Sequence, residues 1–143
     1  MLKFVHGDIF LSTMHTITNP VNCVGVMGKG LAFEFKNRYP RHFTDYRKMC
    51  QEHKIAPGVP AVTKADCRSI LLFPTKDHWR NPSELQFIEE GLKFIAEHYE
   101  EMGIYSLALP KLGAGLGGLR WTDVKTLIVK YLGKLPLEVE VYE

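Results

Sequence analysis

The sequence predicts an α/β domain with a mixed, largely parallel central sheet covered by helices on both faces. Three observations carry that expectation. Short apolar segments rich in β-branched or large side chains alternate with longer segments of helical periodicity. No low-complexity linker and no repeat at a solenoid period interrupts them. The chain's 143 residues, 45% of them apolar in type, suffice for one domain. A domain of that size buries about two thirds of its unfolded surface and needs no metal or disulfide staple.

Leu2 to Val5 reads as the first strand and Thr16 to Asn19 as the second. A helix opens at about Leu31, after a glycine-rich segment. The basic stretch Lys36 to Lys48 follows, with Arg38, Arg41, Arg47, Tyr39 and Tyr46, and reads as a solvated helix face or a weak nucleic-acid track. Ala61 to Thr63 and Ser69 to Phe73 are the next strands. The clearest helix runs from Pro82 to about Glu101, with Asn81 as N-cap, Glu84 at capping-box spacing and Gly103 as its stop. Its stripe of Leu85, Ile88, Leu92, Ile95, Ala96 and Tyr99 lays one face on the sheet. Ser106 to Leu109 is a strand, and Thr122 caps a last helix in which Val124, Leu127, Ile128, Tyr131 and Leu132 are buried before Gly133 ends it. Leu137 to Val141 completes the sheet. Three strands run into Pro20, Pro74 and Pro110, which lack a ladder donor and are expected to close them.

The formal charge of +2, from 18 Lys and Arg against 16 Asp and Glu, is too small to mark a nucleic-acid binder by net field, so any polyanion site is a local patch. Three cysteines without a CxxC spacing argue against a disulfide framework and a structural zinc, and predict a reducing, cytoplasmic compartment. Six histidines show no HxxxH or HExxH arrangement, so neither a metal nor a cofactor is expected. The first ten residues lack the apolar core of a signal peptide, and no apolar run approaches the roughly 20 residues of a membrane span.

If the strands ending at Pro20, Pro74 and Pro110 are parallel, they deliver Asn22 with Gly25 to Gly30, then Thr75 and Lys76, then Lys111 to Gly118, to the sheet edge where α/β folds bind ligands. Each glycine loop leads into a helix, so its amides and the helix N-terminus suit an anion. Gly25 to Gly30 has GxxxxG spacing, but Leu31 and Ala32 stand where a nucleotide-triphosphate loop needs Lys and Ser or Thr. Gly113, Gly115 and Gly118 match GxGxxG, yet only 25 residues follow, whereas a dinucleotide fold carries that fingerprint at its first βα turn.

Three segments carry a resemblance: His6-Gly7-Asp8-Ile9-Phe10, Asn19-Pro20-Val21-Asn22 with its loop, and Leu109-Pro110-Lys111-Leu112 through Gly118-Leu119. Together they resemble the macrodomain, a three-layer α/β/α module that binds ADP-ribose. Phe73-Pro74-Thr75-Lys76-Asp77-His78-Trp79-Arg80 resembles the DarG antitoxin branch, which removes ADP-ribose from thymine in DNA and undoes the action of a DarT-type toxin. The resemblance implies one macrodomain over residues 1–143, monomeric and able to stand at the N-terminus of a longer protein. It implies that Asp8 and the Ile9 amide bind adenine and that Asn22 holds the distal ribose. Gly25, Gly28, Lys29 and Gly30 would wrap that ribose and the phosphates. Gly113, Ala114, Gly115, Leu116, Gly117 and Gly118 would cradle the diphosphate.

Lys76 would be catalytic, since cleavage at an anomeric carbon needs a nucleophile or base, and an amine serves by attacking the opened sugar as a Schiff base. His78, Trp79 and Arg80 stand where ADP-ribosylated single-stranded DNA would pass. Related glycohydrolases carry an aspartate in the second loop where this chain has Gly117-Gly118, which favours DNA over protein glutamate as substrate. Two alternatives remain open: a reader that binds ADP-ribose without turnover, which would not need Lys76, and a protein-glutamate ADP-ribosyl hydrolase.

Overall fold

The computed structural model describes residues 1–143. In chain order the elements are β1 (Leu2–Val5), a 3-10 turn (Ile9–Leu11), β2 (Thr16–Val21), α1 (Gly30–Arg38), α2 (Pro40–Gln51), β3 (Ala61–Ala65), β4 (Arg68–Pro74), α3 (Leu85–His98), β5 (Ser106–Leu109), α4 (Trp121–Leu132) and β6 (Glu138–Tyr142). The six strands form one sheet in the order β1-β6-β5-β2-β4-β3. Every neighbouring pair is parallel except β3 with β4, a tight antiparallel hairpin at one edge. The sheet is thus mixed and largely parallel, as the sequence predicts.

Strand alternation sorts the core into two faces. Leu71, Phe73, Leu107, Leu109, Val139 and Val141 point to one side, under Ile88, Leu92 and Ile95 of α3 and Val124, Ile128 and Leu132 of α4. Their chain neighbours Ile70, Leu72 and Ala108, with Ile17 and Val21, point to the other side, under Phe35 of α1 and Tyr46 and Cys50 of α2. The result is three layers. Burial of each such large apolar side chain contributes on the order of 1.5–3 kcal/mol.

Four local expectations are corrected. β2 runs through Pro20 to Val21 and β4 includes Pro74, so only Pro110 stands beyond its strand. Successive residues of a parallel strand address opposite neighbours, and the Thr75 N–H reaches Val21 O at 2.9 Å. Pro20 therefore faces the side where pairing with β5 has already ended at Ile17, and Pro74 the side where β3 has ended opposite Leu72. Neither proline deprives a ladder of a donor.

The clearest helix starts at Leu85 rather than Pro82, with Glu84 as an N-cap that makes no side-chain bond, and it ends at His98 rather than Glu101. The Ser83 N–H instead donates to Gly117 O at 3.1 Å and the Glu84 N–H to Thr75 O at 3.2 Å, ties that hold this segment extended against two loops. Leu85, at the first position of the shortened helix, is 38% exposed. α4 is capped by Arg120, not Thr122, which lies in its first turn. The basic stretch is divided between α1 and α2, because Pro40 begins a new helix.

Candidate functional site

Adjacent strands β5, β2 and β4 share a carboxyl edge, yet their crossovers leave toward opposite faces. The chain from β2 enters α1 and α2 on one face, while the chains from β4 and β5 enter α3 and α4 on the other. A crevice opens where such crossovers diverge. It is a cavity of about 800 Å³.

Asn22, Gly28, Lys29, Gly30, Lys76, Trp79, Gly113, Ala114, Gly115, Leu116 and Gly117 line this cavity, so both glycine loops and the lysine segment converge as expected. Six expected residues lie outside its lining. Asp8 is exposed and caps the 3-10 turn, its Oδ1 accepting from the Phe10 N–H at 2.9 Å. Ile9 is buried in the core. Gly25 backs onto Arg47 and Cys50 of α2. His78 Nδ1 accepts from the Arg80 N–H at 3.1 Å, and the Arg80 guanidinium lies over the Trp79 ring at 4.8 Å. Gly118 turns the chain out of the second loop with a φ of +83°.

Backbone ties hold the Lys76 segment from both sides. The Cys23 N–H donates to Asp77 O at 2.8 Å, and the Cys23 thiol reaches Lys76 O at 3.7 Å. The half-buried Lys76 is therefore fixed to the first loop through Cys23 and, through Thr75, to β2 and the entry of α3. Burial pushes the Cys23 thiol up to about 12, so it stays protonated near neutral pH and is no nucleophile. In the second loop, a Cβ on Gly117 would collide with Ser83 Oγ and come within 2.5 Å of Gly113 O. Only glycine fits there, pressed against the segment that enters α3. Leu116 reaches across the mouth, its Cδ1 3.1 Å from where a Cβ on Gly30 would stand.

Lys29, Lys76 and Lys111 line the cavity, and no Asp, Glu, His or Cys does. Such a lining attracts a polyanion and offers an amine as its only strong base or nucleophile. A second cavity of about 740 Å³, between α2 and β3, mixes cations with Asp45, Glu52 and Asp66 and has no glycine loop. No group of three or more His, Cys, Asp or Glu side chains is placed to hold a metal ion, and no helix is long and apolar enough to cross a membrane.

Sequence reasoning missed Ser83 and named Thr75 and Lys111 only as loop members, although all three line the cavity. Ser83 was hidden by its reading as part of a helix start. It also grouped Tyr46 with a basic helix face. The Tyr46 side chain is instead fully buried behind Asn22, and nothing in the local pattern distinguishes it from a core tyrosine.

The macro domain family model matches residues 18–128. The chain is 43% identical over 148 residues to a DNA ADP-ribosyl glycohydrolase of Thermus aquaticus, a match that takes in 100% of this chain and 41% of that protein. It thus spans about two fifths of that relative's length. Among solved structures, the macrodomain of Thermus aquaticus DarG superposes with a TM-score of 0.94 at 43% identity, covering 100% of this chain and 98% of that one. Thermosipho africanus DarTG in complex with ADP-ribose superposes with a TM-score of 0.94 at 43% identity, covering 99% of this chain and 41% of that one.

Proposed function

The chain belongs to the macro domain family, and from that premise we propose that it binds ADP-ribose and hydrolyses it from thymine in single-stranded DNA, reversing the modification made by a DarT-type toxin. The observation that carries this reading is a single cavity in which two glycine loops and Lys76 meet without any carboxylate. Amides of Gly28 to Gly30 with the α1 N-terminus, and of Gly113 to Gly117, receive the diphosphate. Asn22 holds the distal ribose. Adenine projects beyond the cavity, toward the Asp8 carboxylate and the Ile9 amide.

Lys76 then attacks the anomeric carbon. The bonds from that carbon to the thymine nitrogen and to the ring oxygen break as an imine forms on Nζ, with one amine proton passing to thymine and the other to the ring oxygen. Water hydrolyses the imine and releases ADP-ribose. A reader would need no amine here, and a glutamate-directed hydrolase is disfavoured by Gly117 and Gly118, which leave the second loop without an acid. The same reading takes residues 1–143 as one macrodomain, acting as a monomer where DNA is found, in the cytoplasm. The test offers thymine-ADP-ribosylated single-stranded DNA and glutamate-ADP-ribosylated peptides side by side. Release from DNA alone is expected, whereas release from the peptides alone overturns the choice of substrate.

A further inference from the structure

We propose that Tyr46, on α2, is a positioning residue for the ligand's distal sugar, acting through Asn22. The inference rests on the reading above, in which Asn22 meets that sugar. Asn22 Oδ1 accepts from the Val24 N–H at 3.0 Å and the Val26 N–H at 3.4 Å, and Nδ2 donates to Val26 O at 2.8 Å. The first loop thus uses the amide oxygen and one of the two Nδ2 hydrogens. The second hydrogen is uncommitted, on a side chain that lines the cavity.

The Tyr46 hydroxyl holds the amide in that sense together with the two loop N–H groups. Its one hydrogen faces Asn22 Oδ1 at 2.7 Å, with Asn22 O beside it at 2.9 Å. Tyr46 has no exposed surface and packs with Val21, Met27, Cys50 and Leu72, so its hydroxyl cannot follow Asn22 if the amide turns. Rotating the amide by half a turn would set Nδ2 against two backbone N–H groups and replace the acceptor that faces the tyrosine hydroxyl by a donor. Both are costly where no water competes. Tyr46 therefore selects the orientation that presents a donor, and only a donor, to the cavity. Its selectivity is for an acceptor oxygen of the sugar.

The test compares wild type, Tyr46→Phe, Asn22→Ala and the double variant by calorimetry with ADP-ribose and with ADP, which lacks the distal ribose. Tyr46→Phe is expected to weaken ADP-ribose at least about tenfold and ADP less than about twofold. In the Asn22→Ala background the same change should do nothing further. Equal loss for both ligands, no loss for either, or additivity with Asn22→Ala overturns the proposal, the first by showing a merely structural role. Wild type failing to bind ADP-ribose, or Asn22→Ala binding it normally, instead overturns the reading on which the proposal rests.

Discussion

On the proposed function, Lys76 and the glycines around it divide chemistry from binding at the level of single residues. Because no carboxylate, histidine or thiol lines the cavity, removing the Lys76 amine leaves only the amines of Lys29 and Lys111, which sit on the two glycine loops rather than on the β4 segment. Lys76→Ala is expected to lower turnover at least about a hundredfold while ADP-ribose affinity stays within several-fold, since the amine serves the transition state more than the ground state. Single-turnover kinetics with calorimetry on the same variant checks this. Retained turnover would assign the attack to a water held by the loops. Gly115 and Gly117 separate in a second way. Nothing lies within 4 Å of a Cβ on Gly115, so Gly115→Leu should block the ligand while leaving the melting temperature within a degree or two. Gly117→Ala, with Ser83 Oγ and Gly113 O in the way, should lower the melting temperature as well as the affinity.

Between elements, a buried polar line joins β3, α2 and β2. His42 Nδ1 meets Thr63 Oγ1 at 2.6 Å and its Nε2 meets Asn19 Nδ2 at 2.9 Å, while Asn19 also reaches the Met27 sulfur in the first loop. An amide N–H donating to Nε2 requires a neutral ring with its proton on Nδ1. Burial pushes His42 down from 6.5 to about 4, so between those values the unfolded chain holds the extra proton and stability rises with pH. The contribution is complete above the upper value and disappears as pH falls to the lower one, a loss of roughly 3 kcal/mol in all. Urea unfolding should therefore show His42→Gln with a shallower decline than wild type between pH 7 and pH 5. Identical declines would remove His42 as the cause.

This line was not legible in the sequence, where His42 is one polar residue in a basic helix. Strand positions were legible because β-branched alternation is a local property, and so was the convergence of the two glycine loops. The start of α3 was not, because Ser83 spends its N–H on Gly117, far away in sequence, and Glu84 spends its own on Thr75 across the intervening loop. Asp8 shows the same limit. Its capping bond is local, while the place of its turn, packed through Ile9 and Phe10 with Ile17, Phe35 and Ile70, is not.

For the molecule as a whole, a net charge of +2 means that the DNA affinity required by the proposed function must come from the cavity and its rim. The cations there are few: Lys29, Lys76 and Lys111 in the lining, with Arg80 at its side. On the proposed function the diphosphate of ADP-ribose engages part of that charge, which leaves two or three contacts for DNA phosphates. Each contact to a single strand contributes a slope of about −0.7 in log affinity against log salt, so modified DNA should show a slope of about −1.4 to −2 beyond that of free ADP-ribose. Trp79 adds a term that salt does not screen. The ring is 48% exposed and lines the cavity, with the Arg80 guanidinium 4.8 Å and the His78 ring 5.3 Å from its centroid. Stacking of one base on such a ring contributes about 1–3 kcal/mol. Trp79→Ala should therefore weaken modified DNA at least about fivefold, leave free ADP-ribose unchanged and keep the same salt slope. Fluorescence titrations of both ligands at several salt concentrations measure all three quantities. A variant that loses slope rather than intercept would show that Trp79 serves only to hold Arg80 against a phosphate, and equal loss for both ligands would place the indole against ADP-ribose itself.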